Sequence, residues 1–200
     1  MPAICSENPG KIQLLKWGLI PSWVRSKESA EDIRLKTFNA RAESLDNKPS
    51  FSKSFKSKRC IVPVKGFYEW QHTTARKIPW YIYRADDGIM SLAGLWDEWV
   101  ETSTGEIFRT FTIVTTTAND MMAVIHNSKK RMPVILDKNE ENRWLDLTIK
   151  SSEALEMTKP CPSEILKAHT ISLLINNRIA DRNSPDIIKH YSWSSEDSLF

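Results

Sequence analysis

Two titratable side chains stand in sequence surroundings that favour proton transfer. Glu69 lies between the aromatic residues Tyr68 and Trp70. A carboxylate in such a strand either points to solvent on the alternate face or lines an aromatic-walled cleft, where it can act as a general acid or base. His126 follows an apolar run and precedes the three cations of residues 129–131, which suits proton transfer near an anionic substrate. Taken singly, a solvated glutamate and a structural histidine are the commoner outcomes.

Two further motifs combine groups that can hold a nucleic-acid strand. Asn39 and Arg41 place an amide next to a guanidinium fork, which can grip phosphate, although the same residues could form a simple turn. The run Trp17-Gly-Leu-Ile-Pro21-Ser-Trp23 sets two indoles and a proline around a glycine bend. Such an arrangement is typical of a stacking platform, and the alternative is a segment of the core.

The charge of the chain is unevenly distributed. The formal net charge is +3, but residues 1–80 hold 15 Lys and Arg against 7 Asp and Glu, or +8, which leaves −5 for residues 81–200. Such asymmetry favours a polyanionic partner for the basic half. Residues 48–59 are the densest part, with five cations and no acid. Phe51 and Phe55 lie one helical turn apart there, which predicts a short amphipathic helix after Pro49 with its lysines outward; the alternative is a merely solvated face.

Most residues between 59 and 117 favour strands, and short helices are predicted around them. The predicted strands are Arg59–Val64, Phe67–Gln71, Trp80–Arg84, Ile89–Trp96, Arg109–Thr115 and Thr170–Ile175. The predicted helices are Ser29–Leu35, Ala118–Val124, Asn139–Trp144 and Ser151–Thr158. Strands clustered in the middle with helices around them predict an α+β fold, built on a largely antiparallel sheet or open barrel. We expect one domain over residues 1–200, with residues 192–200 as a polar, disordered tail.

Composition excludes several classes of protein. A hydrophobic share of 40% with 26% charged residues excludes a disordered chain. The sequence shows neither a membrane-length apolar run nor a leader, so we expect a soluble, cytoplasmic protein. Cys5, Cys60 and Cys161 are odd in number and lack CxxC spacing, which argues against a disulfide framework or a zinc site. The histidines also lack metal-ligand spacing, so we expect neither a metal nor another cofactor.

Six motifs occur in an order that identifies a family. They are WGLIPSW, NARAE, RCIVPVKGFYEW, AGLW, TIVTTTAN and IHNSKKRMPVIL. In this order the chain resembles the SRAP family, the SOS-response-associated peptidases that process abasic sites in DNA. The resemblance runs from about Lys16 to Trp144, with a weaker match at residues 175–177. Residues 128–130 look like an insertion into the family's His-x-Arg-Met-Pro motif.

The resemblance implies a covalent DNA-repair chemistry. Members of the family recognise abasic sites in single-stranded DNA and at junctions. A cysteine made N-terminal by autocatalytic removal of methionine condenses with the ring-opened sugar aldehyde, and its thiol closes the imine into a thiazolidine. On motif alignment, Asn39 matches the residue that orients the cysteine. Glu69 matches the residue that assists ring opening and imine formation, and His126 the residue that shuttles protons. We expect these three catalytic side chains to converge on one positively charged hollow.

The resemblance also implies a set of DNA-binding residues. Arg41 matches the family's phosphate-contacting arginine, and Trp17 and Pro21 correspond to the region that stacks on or wedges the DNA. Lys129 and Arg131, beside His126, are further candidates for contacts to the strand.

The printed sequence departs from the family at its start. Family members begin Met-Cys a few dozen residues upstream of the Trp-Gly-Leu-Ile-Pro motif, whereas this sequence begins Met1-Pro2. Cys5 cannot replace the missing residue, because its amine is locked in a peptide bond and a thiazolidine needs a free 1,2-aminothiol. We therefore expect that the N-terminal cysteine segment is lacking and that this polypeptide forms no thiazolidine. A free N-terminal Pro2, able to form an iminium, is a remote alternative.

Two other functions remain open from the sequence. Without the cysteine, the chain could be a non-catalytic binder of single-stranded DNA. It could also be a peptidase that acts on other proteins, with Glu69 and His126 as its acid and base. We expect a monomer in the bacterial cytoplasm, associated with the nucleoid when bound to DNA and with no membrane partner.

Overall fold

The computed structural model describes residues 1–177 and 184–193 in two compact units. The first unit comprises Met1–Val64, Ser91–Thr117 and Pro133–Cys161. The second comprises Lys65–Met90, Ala118–Met132 and the chain from Pro162 onward. The expectation of one domain stays a prediction. The expected tail lies outside the described residues except for Ser192 and Trp193.

The elements give the α+β class that the sequence predicts. The strands are β1 (Pro2–Cys5), β2 (Ile12–Leu14), β3 (Lys16–Trp17), β4 (Asn39–Arg41), β5 (Arg59–Val64), β6 (Gly66–His72), β7 (Lys77–Arg84), β8 (Met90–Val100), β9 (Ile107–Thr117), β10 (Arg131–Pro133), β11 (Ile135–Leu136) and β12 (Leu166–Thr170). The α-helices are α1 (Lys27–Lys36), α2 (Ser52–Ser57), α3 (Asp120–Ile125), α4 (Lys138–Leu145) and α5 (Ser151–Glu156). Single 3₁₀ turns occur at Ala42–Ser44, Ser163–Ile165, Leu173–Asn176 and Pro185–Ile188.

The first unit is built on a large curled sheet that forms a half-barrel. Its strands β9, β8, β5, β1 and β2 are neighbours in that order, with β11 on β8. The β8–β9, β1–β5 and β1–β2 pairs are antiparallel. Strands β3 and β4 both pair with β9 in parallel, one after the other along its length. The prediction of a largely antiparallel sheet or open barrel is confirmed.

Helix α2 confirms the amphipathic helix predicted after Pro49. Phe51 and Phe55 are buried in the core of the first unit, and the Phe55 ring lies 6.2 Å from that of Trp144. The indole of Trp144 donates a hydrogen bond to the carbonyl of Cys60 at 2.9 Å. The two phenylalanines thus attach the basic segment to α4 and β5 through apolar burial.

The cations of this basic segment do not all face solvent. Arg59 is only 1% exposed, and its guanidinium donates to the carbonyls of Phe55, Trp144 and Asp146. Burial lowers the pKa of Arg59 from its usual value. Lys58 lies 2.6 Å from the buried carboxylate of Asp97. The expectation of an outward lysine face therefore holds for the helix itself and fails at its end, where two cations stabilise the fold.

The second unit contains a three-stranded antiparallel sheet in the order β12, β7, β6. Glu69 on β6 is opposite Trp80 on β7. Helix α3 belongs to the same unit. It begins after Asn119, whose side chain accepts from the N–H of Met122, and its last residue, Ile125, is followed by His126 as the C-cap.

The predicted strand Thr170–Ile175 is wrong. The strand in this region is Leu166–Thr170, and a 3₁₀ turn follows at Leu173–Asn176. Ser172 accepts a hydrogen bond from the N–H of Leu174, which starts that turn. Leu173 and Leu174 are exposed, so their apolar character did not reflect a buried strand face.

Candidate functional site

Glu69 lies on β6, an edge strand that has β7 as its strand neighbour. Its side chain is 22% exposed. Oε1 accepts a hydrogen bond from the backbone N–H of Trp70 at 2.9 Å, which leaves Oε2 available for a second partner. The carboxylate is therefore held in one orientation while part of it remains accessible.

His126 supplies that second partner. Its Nδ1 lies 3.3 Å from Oε2 of Glu69 and 2.9 Å from the carbonyl oxygen of Arg131. Both neighbours are hydrogen-bond acceptors, so Nδ1 carries the proton in this arrangement. In the neutral imidazole, Nε2 then keeps its lone pair, and it makes no hydrogen bond to the described part of the chain.

This arrangement can take up and return a proton. Nε2 acts as the base, and the adjacent carboxylate stabilises the imidazolium that forms, as the third member of a catalytic triad does. The imidazole is 18% exposed, so a substrate atom can approach it. The structure thus brings together Glu69 and His126, two of the three predicted catalytic residues.

The segment after His126 forms a closed turn with exposed cations. The N–H of Lys130 donates to the carbonyl of His126 at 2.8 Å, and the carbonyl of Lys130 accepts from Ala118 at 2.9 Å. Lys130 has φ +49°, a left-handed conformation that is uncommon for a residue other than glycine. Lys129 and Lys130 are exposed and Arg131 is half-buried. The inserted residues therefore return the chain so that the Arg131 carbonyl meets the imidazole.

In the first unit, Trp17, Asn39 and Arg41 follow one line along β9. Their register partners on β9 are Phe111, Ile113 and Thr115, in that order. Residues two apart on a strand share a face and lie about 6.6 Å apart. Ala40 is buried between the exposed residues Asn39 and Arg41. An indole, an amide and a guanidinium are therefore presented on one face at regular steps.

The run from Trp17 to Trp23, predicted as a stacking platform, contains residues that differ in exposure. Trp17 is 39% exposed; its ring is stacked on Phe111 at 6.4 Å, and its indole N–H donates to the carbonyl of Phe38 at 2.8 Å. Pro21 is buried, whereas Trp23 is 53% exposed. The aromatic surface of this motif therefore comes from its tryptophans.

All three cysteines are buried thiols. Cys5 on β1 is opposite Cys60 on β5, and burial raises the pKa of the Cys5 thiol from 9.0 to about 11. Burial raises the pKa of Cys60 as well. A thiol with so high a pKa is protonated at neutral pH and is a poor nucleophile.

Pro2, the remote alternative to the N-terminal cysteine, lies in β1 opposite Leu14.

Metal clusters and membrane-spanning helices are both absent from the described residues. No group of three or more His, Cys, Asp or Glu side chains within residues 1–177 and 184–193 could hold a metal ion. Among the helices described, none has the length and apolar character needed to cross a membrane.

Residues 1–178 match the profile of the family described as SOS response associated peptidase (SRAP). The chain belongs to the SRAP family. It is 38% identical over 179 residues to abasic site processing protein YoqW of Bacillus subtilis, across 88% of this chain and 75% of that protein. It is 33% identical over 192 residues to abasic site processing protein HMCES of Xenopus tropicalis, across 86% of this chain and 55% of that protein.

The fold is shared with a protein whose structure has been solved. A protein from Bacteroides thetaiotaomicron has a crystal structure that is similar with a TM-score of 0.90 and 41% sequence identity. The similarity covers 96% of this chain and 81% of that chain. The resemblance inferred from six ordered motifs is confirmed.

Proposed function

We propose that this chain processes abasic sites in DNA and binds the damaged strand in single-stranded form. The pair formed by Glu69 and His126 is the observation that carries the chemical part of this proposal. The relatives YoqW and HMCES are named as abasic site processing proteins, which supports the choice of substrate. The convergence of Asn39 with this pair stays a prediction.

The face formed by Trp17, Asn39 and Arg41 is suited to an extended nucleic-acid strand. The exposed guanidinium of Arg41 can pair with a phosphate, and the indole of Trp17 can stack on a base. Their spacing by successive two-residue steps on β9 is comparable to a nucleotide step of an extended strand. We assign phosphate and base binding to this face, with Lys129 and Arg131 as cations beside the acid–base pair.

The acid–base pair can open the abasic sugar. An abasic sugar is a cyclic hemiacetal with a hydroxyl on C1′. His126 Nε2 takes the proton of that hydroxyl, the C1′–O4′ bond breaks, and the imidazolium returns the proton to O4′. The products are the C1′ aldehyde and a hydroxyl on C4′, with no net gain or loss of protons. Glu69 stabilises the imidazolium between the two transfers.

Capture of the aldehyde requires a nucleophile beyond this pair. The family's thiazolidine needs a cysteine with a free amine, whereas Cys5, Cys60 and Cys161 are internal and buried. A second candidate function is the binding of abasic single strands without covalent capture, which the burial of these three thiols favours. A heat-stable adduct of this polypeptide with abasic DNA would contradict that second candidate.

The oligomeric state and the location of the protein are part of the same proposal. A monomer would act on single strands or junctions in the bacterial cytoplasm, without a membrane partner. The peptidase alternative gains no nucleophile from the three buried cysteines.

Fluorescence anisotropy of a labelled oligonucleotide with one abasic site tests the binding part. We expect the full chain to bind the single strand more tightly than a blunt duplex of the same sequence, with an affinity that falls as salt rises. Equal affinity for the duplex, or binding that is insensitive to salt, would contradict the assignment to single-stranded DNA.

A further inference from the structure

Asn127 joins the turn that carries His126 to the strand that carries Glu69. Its side-chain Nδ2 donates to the carbonyl of His72 at 2.7 Å, and its Oδ1 accepts from the N–H of His72 at 3.0 Å. His72 is the last residue of β6, whose strand neighbour in the described sheet is β7 alone. The amide therefore satisfies the open edge of β6 as a neighbouring strand would.

This contact restricts the distance between the two members of the acid–base pair. His126 directly precedes Asn127, and Glu69 is on the same strand as His72.

A second hydrogen bond supports the same junction, because Gln71 Nε2 donates to the carbonyl of Val124 at 3.2 Å. Gln71 is itself oriented by the indole N–H of Trp80 at 3.2 Å. The end of α3 and the turn that follows are thus attached to β6 at two successive residues.

The tautomer of His126 depends on this attachment. Nδ1 keeps its proton because two acceptors, the Glu69 carboxylate and the Arg131 carbonyl, lie within reach at once. If the turn moves away from β6, Nδ1 loses at least one acceptor, and the proton redistributes between the two ring nitrogens.

We propose that Asn127 is a positioning residue, which holds His126 in the Nδ1–H tautomer against Glu69 and so leaves Nε2 as the proton acceptor. The use made of Nε2 rests on the proposed function. The tautomer itself is a property of the protein without DNA. The two can therefore fail separately.

Nuclear magnetic resonance of ¹⁵N-histidine protein tests the tautomer directly. The full chain has four histidines, and the His126 signals are assigned by their loss in His126→Gln. At a pH at which the imidazoles are neutral, we expect His126 to be predominantly Nδ1–H. An Nε2–H form in the unmodified protein would overturn the proposal before any positioning variant is made.

Asn127→Ala then tests the cause. We expect the Nδ1–H share of His126 to fall below half in this variant, while the other three histidines keep their signals apart from local changes at His72. Ser128→Ala, the next exposed residue on the same turn, is the matched control and should leave His126 unchanged. An unchanged His126 in a folded Asn127→Ala would overturn the proposal.

Binding to abasic single strands separates this inference from the proposed function. Asn127→Ala should bind the labelled oligonucleotide within about twofold of the unmodified chain, since Asn127 is argued to act through His126. If Asn127→Ala changes the His126 tautomer but the unmodified chain does not bind DNA, the positioning role of Asn127 holds and the proposed substrate is wrong. If the unmodified chain binds DNA but the His126 tautomer is unchanged in Asn127→Ala, the proposed substrate holds and the positioning role is wrong.

Discussion

Oε2 of Glu69 lies 3.3 Å from Nδ1 of His126, although the strands β7, β8 and β9 separate the two residues along the chain. The contact forms within one compact unit, between the edge strand β6 and the end of α3. The same Nδ1 also faces the Arg131 carbonyl at 2.9 Å. Nδ1 of the imidazole is thus occupied by contacts within the protein, and Nε2 is the nitrogen that can contact a substrate.

Arg41 is predicted to contribute one phosphate contact. For single-stranded nucleic acid, each contact contributes about 0.7 to the slope of log K against log salt. Arg41→Gln should therefore weaken binding and reduce that slope by about 0.7, as measured by anisotropy over a range of salt.

Lys159→Gln is the matched control for that experiment. Lys159 is an exposed cation of the same unit, and it lies 2.5 Å from Glu156 in a surface ion pair. Its removal should leave the slope unchanged. An equal change of slope in both variants would mean that Arg41 acts through net charge alone.

Arg59 is predicted to act on stability. Arg59→Met leaves three carbonyls without their buried donor, which should lower the free energy of unfolding by about 3 kcal/mol. Urea denaturation measures the change. Lys56→Met, which removes an exposed cation paired with Asp46 at 3.2 Å, should change stability by no more than about 0.5 kcal/mol. Similar losses in the two variants would contradict the structural role of Arg59.

The Cys5 thiol predicts a loss of stability at alkaline pH. Because burial raises its pKa from 9.0 to about 11, the folded chain keeps a proton that the unfolded chain releases. The free energy of unfolding should therefore fall as the pH rises from about 9 to about 11, by up to roughly 3 kcal/mol from this group. Urea unfolding at several pH values should show a smaller fall in Cys5→Ala. An equal fall in the free energy of unfolding of the unmodified chain and of Cys5→Ala would contradict the raised pKa of the Cys5 thiol.

The sequence alone predicts the bounds of elements whose signals are local. Strand β5 has the predicted bounds, Arg59–Val64, because a β-branched run is flanked by polar residues. Strands β8 and β9 are longer than predicted, because their antiparallel pairing continues past the charged pair Glu98–Arg109 to the apolar pairs Trp99–Phe108 and Val100–Ile107. The pairing, rather than residue type, sets their ends.

The site was predictable in its residue types and unpredictable in its contacts. Ordered motifs selected Glu69 and His126, but the role of Asn127 depends on an open strand edge that only the folded sheet creates. The left-handed Lys130, which lets the turn close, has no glycine to signal it. From the sequence, Arg59 is expected to be a surface cation. The carbonyls of Trp144 and Asp146 that accept its hydrogen bonds lie at the end of a helix that is distant along the chain.

Under the proposed function, Glu69 and His126 open the abasic sugar of a bound single strand. Its most direct test is the rate at which an alkoxyamine, at saturating concentration, captures the C1′ aldehyde of an abasic oligonucleotide held by the full chain. The unmodified chain should accelerate capture, and Glu69→Gln should lose this acceleration by about 10²-fold with DNA binding retained, whereas Glu153→Gln, at an exposed carboxylate, should not. No acceleration by the unmodified chain, or equal acceleration by Glu69→Gln, would show that this pair does not open the sugar.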